Sequence, residues 1–375
     1  MSHRTVFVPY RPKTILNKSK RPDHWFWTRY SAYPYIGCQH GCEFCYCREK
    51  KYSPFEDPID FAYIIKVKEN AQDLLRRILI HTPIDAIFTG DYQPAERKFM
   101  LSRRMLEVCY ELGFPVFILE RSPLVLRDLD LIQAIHQRAF AVVAFSVIST
   151  PESLNYDRVT ALEKLAPTAE KRFTVMQELA KAGIPTGTCF MPILPGLCDD
   201  EANLEAVVRW TAYHGGGFVL ASGLTLANQQ RDYFFEVIKE RFIDLLNLYQ
   251  GAYLLGSYAP TGEWNRKIGL IIREHCLRNN IPDRQPRRVI PGDKHTLNKR
   301  MVELLANTAY SLELENAPLH RVWSFRKAAW SIEDLEQDLR LIYRAMGLAG
   351  LQRIPDIGPS MAKILEKLIK ENESS

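Results

Sequence analysis

The sequence predicts an α/β protein, a partial (β/α)6 TIM-like barrel followed by an all-α C-terminal module. Three observations predict it. Six short apolar runs alternate with longer amphipathic stretches between residues 32 and 226, and that alternation is the pattern of parallel βα units. Six strands suit a partial or open barrel better than eightfold closure. Past residue 230 the apolar spacing turns mostly helical.

The strand signals are "AYPYIGC" (32–38), "DAIFTGD" (85–91), "PVFILERS" (115–122), "FAVVAFSVIS" (140–149), "IPTGTCFMPILPG" (184–196) and "GGFVLASGLTL" (216–226). Helical patterns such as "ENAQDLLRRILIH" (69–81), "ERKFMLSRRMLEVCYELG" (96–113) and "AEKRFTVMQELAKAG" (169–183) separate them. The junctions "ELGFPV" and "KAGIPT" put glycine where a helix stops and proline where a strand begins. Each strand ends in small or polar residues: Thr89-Gly90-Asp91, Glu120-Arg121-Ser122, Ser146 and Ser149, Pro195-Gly196. In βα architectures the carboxyl ends of the strands carry the active site.

At 375 residues the chain is long enough for a barrel-sized domain plus a smaller one. Its 46% hydrophobic and 25% charged content is ordinary for a soluble protein. There is no apolar run of about 18 residues and no secretory h-region near the start. The expectation is a cytoplasmic protein without membrane attachment, whose thiols stay reduced. Net charge is +5, unevenly spread. Residues 1–30 hold seven Lys/Arg against Asp23 alone, and "DRQPRRVIPGDKHTLNKR" (283–300) holds six against two Asp. Such segments suit a polyanion, and equally a solvated arm and linker. The reading is therefore a basic N-terminal arm (1–30), a barrel domain (31–290), and a linker with a helical module (291–375).

Four of the eight cysteines, Cys38, Cys42, Cys45 and Cys47, fall in "GCQHGCEFCYC", directly after the first strand signal. In reduced surroundings such a cluster points to a metal or to catalysis rather than to disulfides. Structural zinc takes four ligands, commonly as two separated pairs, and no second pair follows at the usual spacing. Three thiolates on a four-iron cluster leave one iron open to a reactant. His40 reads as a loop-packing residue and Cys109 as core, while Cys47 has no assigned role.

The stretch C-x3-C-x2-C, Cys38, Cys42 and Cys45 with the aromatic Phe44 before the third cysteine, resembles the signature of the radical S-adenosylmethionine (SAM) enzymes. The resemblance implies a [4Fe-4S] cluster whose open iron chelates SAM. Reductive cleavage of SAM then gives a 5′-deoxyadenosyl radical, with a low-potential donor such as flavodoxin or ferredoxin supplying the electron. Across residues 31 to about 225, "YPYIGCQHGCEFCYCR", "VKENA", "TGDYQPAER", "LVLRDLDLI" and "MPILPGLCDDE" resemble the spore photoproduct lyase-like, or DNA repair photolyase-like, family. That likeness implies that Gly90 and Asp91 face the methionine part of SAM. It places Arg121 and Ser122 where the family more often has lysine and serine, and an arginine fork suits a carboxylate. Ser146 is implied as a SAM hydrogen-bonding residue. Arg172 either reaches the SAM carboxylate or pairs near Glu170 on a solvated face. Glu120 is less usual at its position. No catalytic hydrogen donor is identified, with Cys47, Cys189 and Tyr46 merely close in sequence or pattern.

The blocks "NKRMVELL" (298–305), "HRVWSFRKAAWSI" (320–332) and "IPDIGPSMAKIL" (354–365) resemble the helix-hairpin-helix domain of X-family, polymerase beta type, DNA polymerases. In such a hairpin a tight turn aims backbone N–H groups at phosphate without reading sequence. The likeness implies DNA contacts at His320, Arg321, Arg326, Lys327, Gly358, Ser360 and Lys363. Asp356 stands where the first glycine is usual, which should weaken phosphate binding. Ile364 holds the place of the family's lyase lysine, and Lys363 lies about 100° away around the helix, so the module is read as DNA-binding without that lyase activity. Together the resemblances imply a radical SAM enzyme acting on DNA in repair. The residues leave open a DNA-binding iron–sulfur protein that senses without turnover, and a radical SAM enzyme modifying RNA or protein.

Overall fold

In the computed structural model, which describes residues 4–254 and 257–373, ten strands are present among the described residues. They are β1 (Val6–Tyr10), β2 (Leu16–Lys18), β3 (Tyr30–Ala32), β4 (Tyr35–Ile36), β5 (Ile64–Lys68), β6 (Ile87–Gly90), β7 (Val116–Glu120), β8 (Ala141–Ser146), β9 (Thr186–Ile193) and β10 (Val219–Gly223). The large sheet runs β10-β9-β8-β7-β6-β3-β2. Its pairs from β10 to β3 are parallel, and only β2 is antiparallel to its neighbour. Six parallel strands with helices between them form the expected partial barrel.

The middle of this sheet follows its composition. All six residues of β8, "AVVAFS", are buried, because a parallel strand covered on both faces needs side chains without charge on either. Helix Ala71–Leu79 packs Leu74, Leu75 and Leu79 into the same core as Ile87, Val116 and Val143.

Two expectations at the start of the chain are corrected. The first barrel strand is β3, ending at Ala32, not the run 32–38. Pro34 lacks the N–H a ladder needs, and Tyr35–Ile36 cross to a three-stranded sheet ordered β1-β5-β4. Nor are residues 1–30 a separate arm. Val6–Tyr10 pair in parallel with β5 and Leu16–Lys18 pair with β3, and the next stretch joins the other unit.

The chain divides into two compact units. One comprises the chain up to Lys18 with Tyr30–Gln285, the other Ser19–Arg29 with the chain from Pro286 onward. In the second unit helices Thr296–Leu314, Leu319–Glu333, Leu339–Gln352 and Pro359–Glu373 close a core on Leu297, Met301, Leu305, Ala328, Ile332, Leu351 and Leu365. Trp27 enters that core from the N-terminal stretch, 5% exposed. The Arg287 guanidinium lies 4.9 Å over its ring and is clamped by Glu333 at 2.6 and 2.8 Å. Buried Asn298 donates to Gln337 O (2.8 Å) and accepts from Leu339 N (2.9 Å), fixing the start of helix Leu339–Gln352. Among the described residues no helix is long and apolar enough to cross a membrane.

Candidate functional site

The cysteine loop leaves β4 through Gly37, at φ +86°, where a Cβ would stand 2.3 Å from Ile64 O. Only glycine fits there. Successive tight turns follow: Cys38 N donates to Phe61 O (2.8 Å), Gly41 N to Cys38 O (3.0 Å), Cys45 N to Cys42 O (3.2 Å) and Arg48 N to Cys45 O (3.2 Å). They bring the three expected thiols onto one short, tethered loop.

Two residues that sequence reasoning gave no role hold this loop. Arg48 is 1% exposed. Its guanidinium donates to the carbonyls of Gly41 (2.8 Å), Cys42 (3.0 Å) and Pro58, between the rings of Phe61 and Tyr233. Gln93, fully buried, donates to Gly37 O (3.0 Å) and Asp91 Oδ1 (2.8 Å) and accepts from Gln39 N (3.0 Å). The available signals were a cation three residues past the last ligand cysteine and an amide inside "GDYQPAER".

Burial pushes the Cys42 thiol up to about 11, with Arg121 pulling the other way. Cys47, close by on the same loop, pulls the Cys45 thiol below its ordinary value. His40, inside the loop, is buried and held down to about 3, first by burial and then by the charges of Arg121 and Arg172. Burial within the loop disfavours the charged imidazole. Cys109 and Cys189 are buried in the first unit.

Among the described residues no three His, Cys, Asp or Glu side chains converge on one point, as a single tetrahedral ion with Zn–S near 2.3 Å requires. A cluster that takes one thiolate on each of three irons does not need that convergence. Three thiols from one loop fit it as a donor set.

Below the loop lie the strand-end residues. Gly90 has φ +134°, and a Cβ there would meet Glu120 Oε1 at 2.8 Å. Glu120 turns back to accept from the backbone N–H groups of Asp91, Tyr92 (2.8 Å) and Arg121 (3.2 Å). The unusual acid at this position is thus a brace for the β6 and β7 ends. Burial pushes Glu120 up to about 7, and pushes Asp91 up as well, with Glu120 adding to it. Asp91 takes a left-handed φ of 86°, a conformation aspartate tolerates better than most residues.

Arg121 lies 5.4 Å over the Phe44 ring, donates to Ser146 Oγ (2.7 Å) and pairs with Glu163. Burial works against its charge, but Cys42, Glu163, Cys45 and Cys38 outweigh that and keep it protonated. Ser146 Oγ in turn donates to Met191 O (3.0 Å). Arg172 is not on a solvated face: it is 0% exposed and donates to Ser146 O (2.9 Å) and Glu163 Oε1 (2.9 Å). Burial pulls its pKa down, and its Nε has no partner among the described residues. Ser122 Oγ accepts from Leu124 N (3.2 Å) and caps the turn that follows β7. Phe44, Arg121, Ser146 and Arg172 therefore form one network, joined by Glu163, which sequence reasoning missed.

In the second unit His320 and Arg321 sit exposed in the first turn of Leu319–Glu333, with Lys327 exposed two turns further on. Arg326 differs from an open basic contact, since Glu313 pairs with it at 2.6 Å. Gly358, Ser360 and Lys363 are exposed around the start of Pro359–Glu373. Asp356 sits at φ 62°, which explains an Asp where glycine is usual, and its carboxylate accepts from Ser331 (3.1 Å).

Residues 33–206 match the model of the Radical SAM superfamily, and residues 296–374 that of a helix-hairpin-helix domain. The fold is similar to a variant of spore photoproduct lyase, with a TM-score of 0.54 at 16% identity over 72% of this chain and 79% of that one. It is also similar to a spore photoproduct lyase variant solved with bound AdoMet and dinucleoside spore photoproduct (TM-score 0.52, 14% identity, 72% and 78% covered). An uncharacterized protein of Mycobacterium bovis is 28% identical over 239 residues, 62% of this chain and 69% of its own. One from Methanocaldococcus jannaschii is 29% identical over 219 residues, 57% and 78% respectively. With the cysteine loop at the carboxyl face of a partial barrel and a hairpin between the last two helices, the chain carries a radical SAM domain followed by a helix-hairpin-helix domain.

Proposed function

We propose that this protein is a radical SAM enzyme that acts on DNA. The observation that carries the reading is the placement of Arg121 between the cysteine loop and the β8 end, against Phe44 and Ser146. Cys38, Cys42 and Cys45 would hold a [4Fe-4S] cluster, with Arg48 and Gln93 keeping the loop in shape. A bound, reduced cluster would supply one-electron reductive cleavage of SAM, the chemistry that yields a 5′-deoxyadenosyl radical. Arg121 presents its fork to the SAM carboxylate, a bidentate partner for a planar guanidinium. Ser146 fixes the angle of that fork, and Asp91 faces the methionine portion.

DNA is the substrate class because the same chain carries a hairpin whose exposed turn and first helical N–H groups suit phosphate. A base within a duplex would be extruded to reach the barrel mouth. A flavodoxin- or ferredoxin-like protein serves as electron donor. The test is anaerobic reconstitution with iron and sulfide, followed by reduction in the presence of SAM and DNA. The expected result is 5′-deoxyadenosine together with a DNA product, and deuterium passing from site-labelled DNA into the 5′-deoxyadenosine marks the atom attacked. A cluster that senses without turnover would release no 5′-deoxyadenosine, and a product formed equally without DNA would retire the DNA reading.

A further inference from the structure

Helix Leu319–Glu333 buries Val322, Ala328, Ala329 and Ile332 against its own unit and leaves Trp323 42% exposed. A single exposed ring is ordinary on a protein surface, but this one belongs to a packed group of two rings and two cations. Trp323 and Trp330 meet edge to face, with centroids 5.9 Å apart. A guanidinium covers each: Arg326 lies 5.4 Å from the Trp323 centroid and Arg21 5.6 Å from that of Trp330. Both guanidiniums are held in place, Arg326 by Glu313 at 2.6 Å and Arg21 by Asp334 at 2.7 Å. Lys20 shares Asp334 with Arg21, at 3.5 Å.

Resting on the DNA reading above, we propose that Trp323 is a stacking site for an unpaired nucleobase, so that this unit engages DNA where a duplex gives way to a single strand. A fixed aromatic ring among cations is what a sequence-tolerant single-strand site uses, because every base offers a π-face and every nucleotide a charge. The neighbouring hairpin supplies the duplex side. Ser331, on the same helix, bonds Asp356 in the hairpin turn at 3.1 Å. From Ser331 back to Trp323 the helix rises roughly 12 Å at 1.5 Å per residue, the length of about three to four nucleotides at 3.4 Å each. Phosphates seated on the Gly358–Ser360 turn would thus leave an overhanging base within reach of Trp323.

The test compares the full-length protein binding a blunt duplex and the same duplex with a five-nucleotide overhang, at one salt concentration, by fluorescence anisotropy and tryptophan quenching. The overhang should bind about tenfold tighter and quench tryptophan emission, as one stacked base contributes. In Trp323→Ala the ratio of the two affinities should fall to about one, and Trp323→Phe should retain most of it, with circular dichroism confirming that both variants fold. An equal affinity of the unaltered protein for blunt and overhanging DNA, or a preference that survives in Trp323→Ala, overturns the stacking site and leaves the DNA reading standing. Failure to bind either DNA overturns both.

Discussion

Arg172 donates to Glu163 at 2.9 Å inside the protein, while the other oxygen of that carboxylate engages Arg121. One buried acid thus compensates two buried cations, and of the two only Arg121 also lies against the Phe44 ring of the cysteine loop. Removing one partner of such a group leaves a charge without compensation, at a cost of about 3–5 kcal/mol. Glu163→Gln should lower the thermal midpoint of the first unit and weaken SAM binding to reconstituted protein. Adding Arg172→Met to that variant should recover part of the stability, because one buried cation disappears. Calorimetry and SAM titration check both effects.

Arg48 donates to two carbonyls of the cysteine loop and to that of Pro58, and touches no ligand sulfur in doing so. Groups that orient metal ligands from outside typically account for 10–100-fold in metal affinity. Arg48→Ala should lose iron by about that factor under mild chelation while all the cysteines remain. Iron retained per chain after a chelator challenge is the readout.

The raised pKa of Glu120 makes a pH prediction. Its folded-state value near 7 exceeds the ordinary 4.5, so between those values the folded protein holds a proton that the unfolded chain releases. Stability contributed by this group is therefore full below about pH 4.5 and declines as pH rises toward 7, by roughly 3 kcal/mol in all. Urea midpoints measured across that window should show the decline, and Glu120→Gln should flatten it.

Trp27 fills the second unit's core although about 270 residues separate it from Leu297 in sequence. Trp27→Ala should cost about 3–5 kcal/mol and lower the melting transition of the second unit without lowering that of the barrel. Two-transition calorimetry distinguishes the two.

What the sequence disclosed follows from how local each signal was. Strands β6 to β10 were legible because each is a continuous apolar run bounded by glycine, proline or polar residues. The cysteine loop was legible because its ligands lie within eight residues of one another. By contrast, β3 was misplaced because "AYPYI" reads as one apolar run, and nothing short of the fold shows that Pro34 divides it between two sheets. Residues 19–29 looked like a solvated arm, since the helices that bury Trp27 lie at the other end of the chain. Arg172 sits in "AEKRF", whose three consecutive charges left a solvated face as open as the SAM carboxylate. Only the packing of its helix against β8 reveals that it points inward to Glu163, itself disguised in "LEKLAP".

The most direct test follows the cluster itself in oxygen-free, reconstituted protein, by iron and sulfide analysis and by electron paramagnetic resonance of the reduced state. The expected result is four irons and four sulfides per chain and a signal that changes when SAM is added, with both lost in Cys42→Ala. Bound zinc, or a four-iron signal indifferent to SAM, would contradict the account.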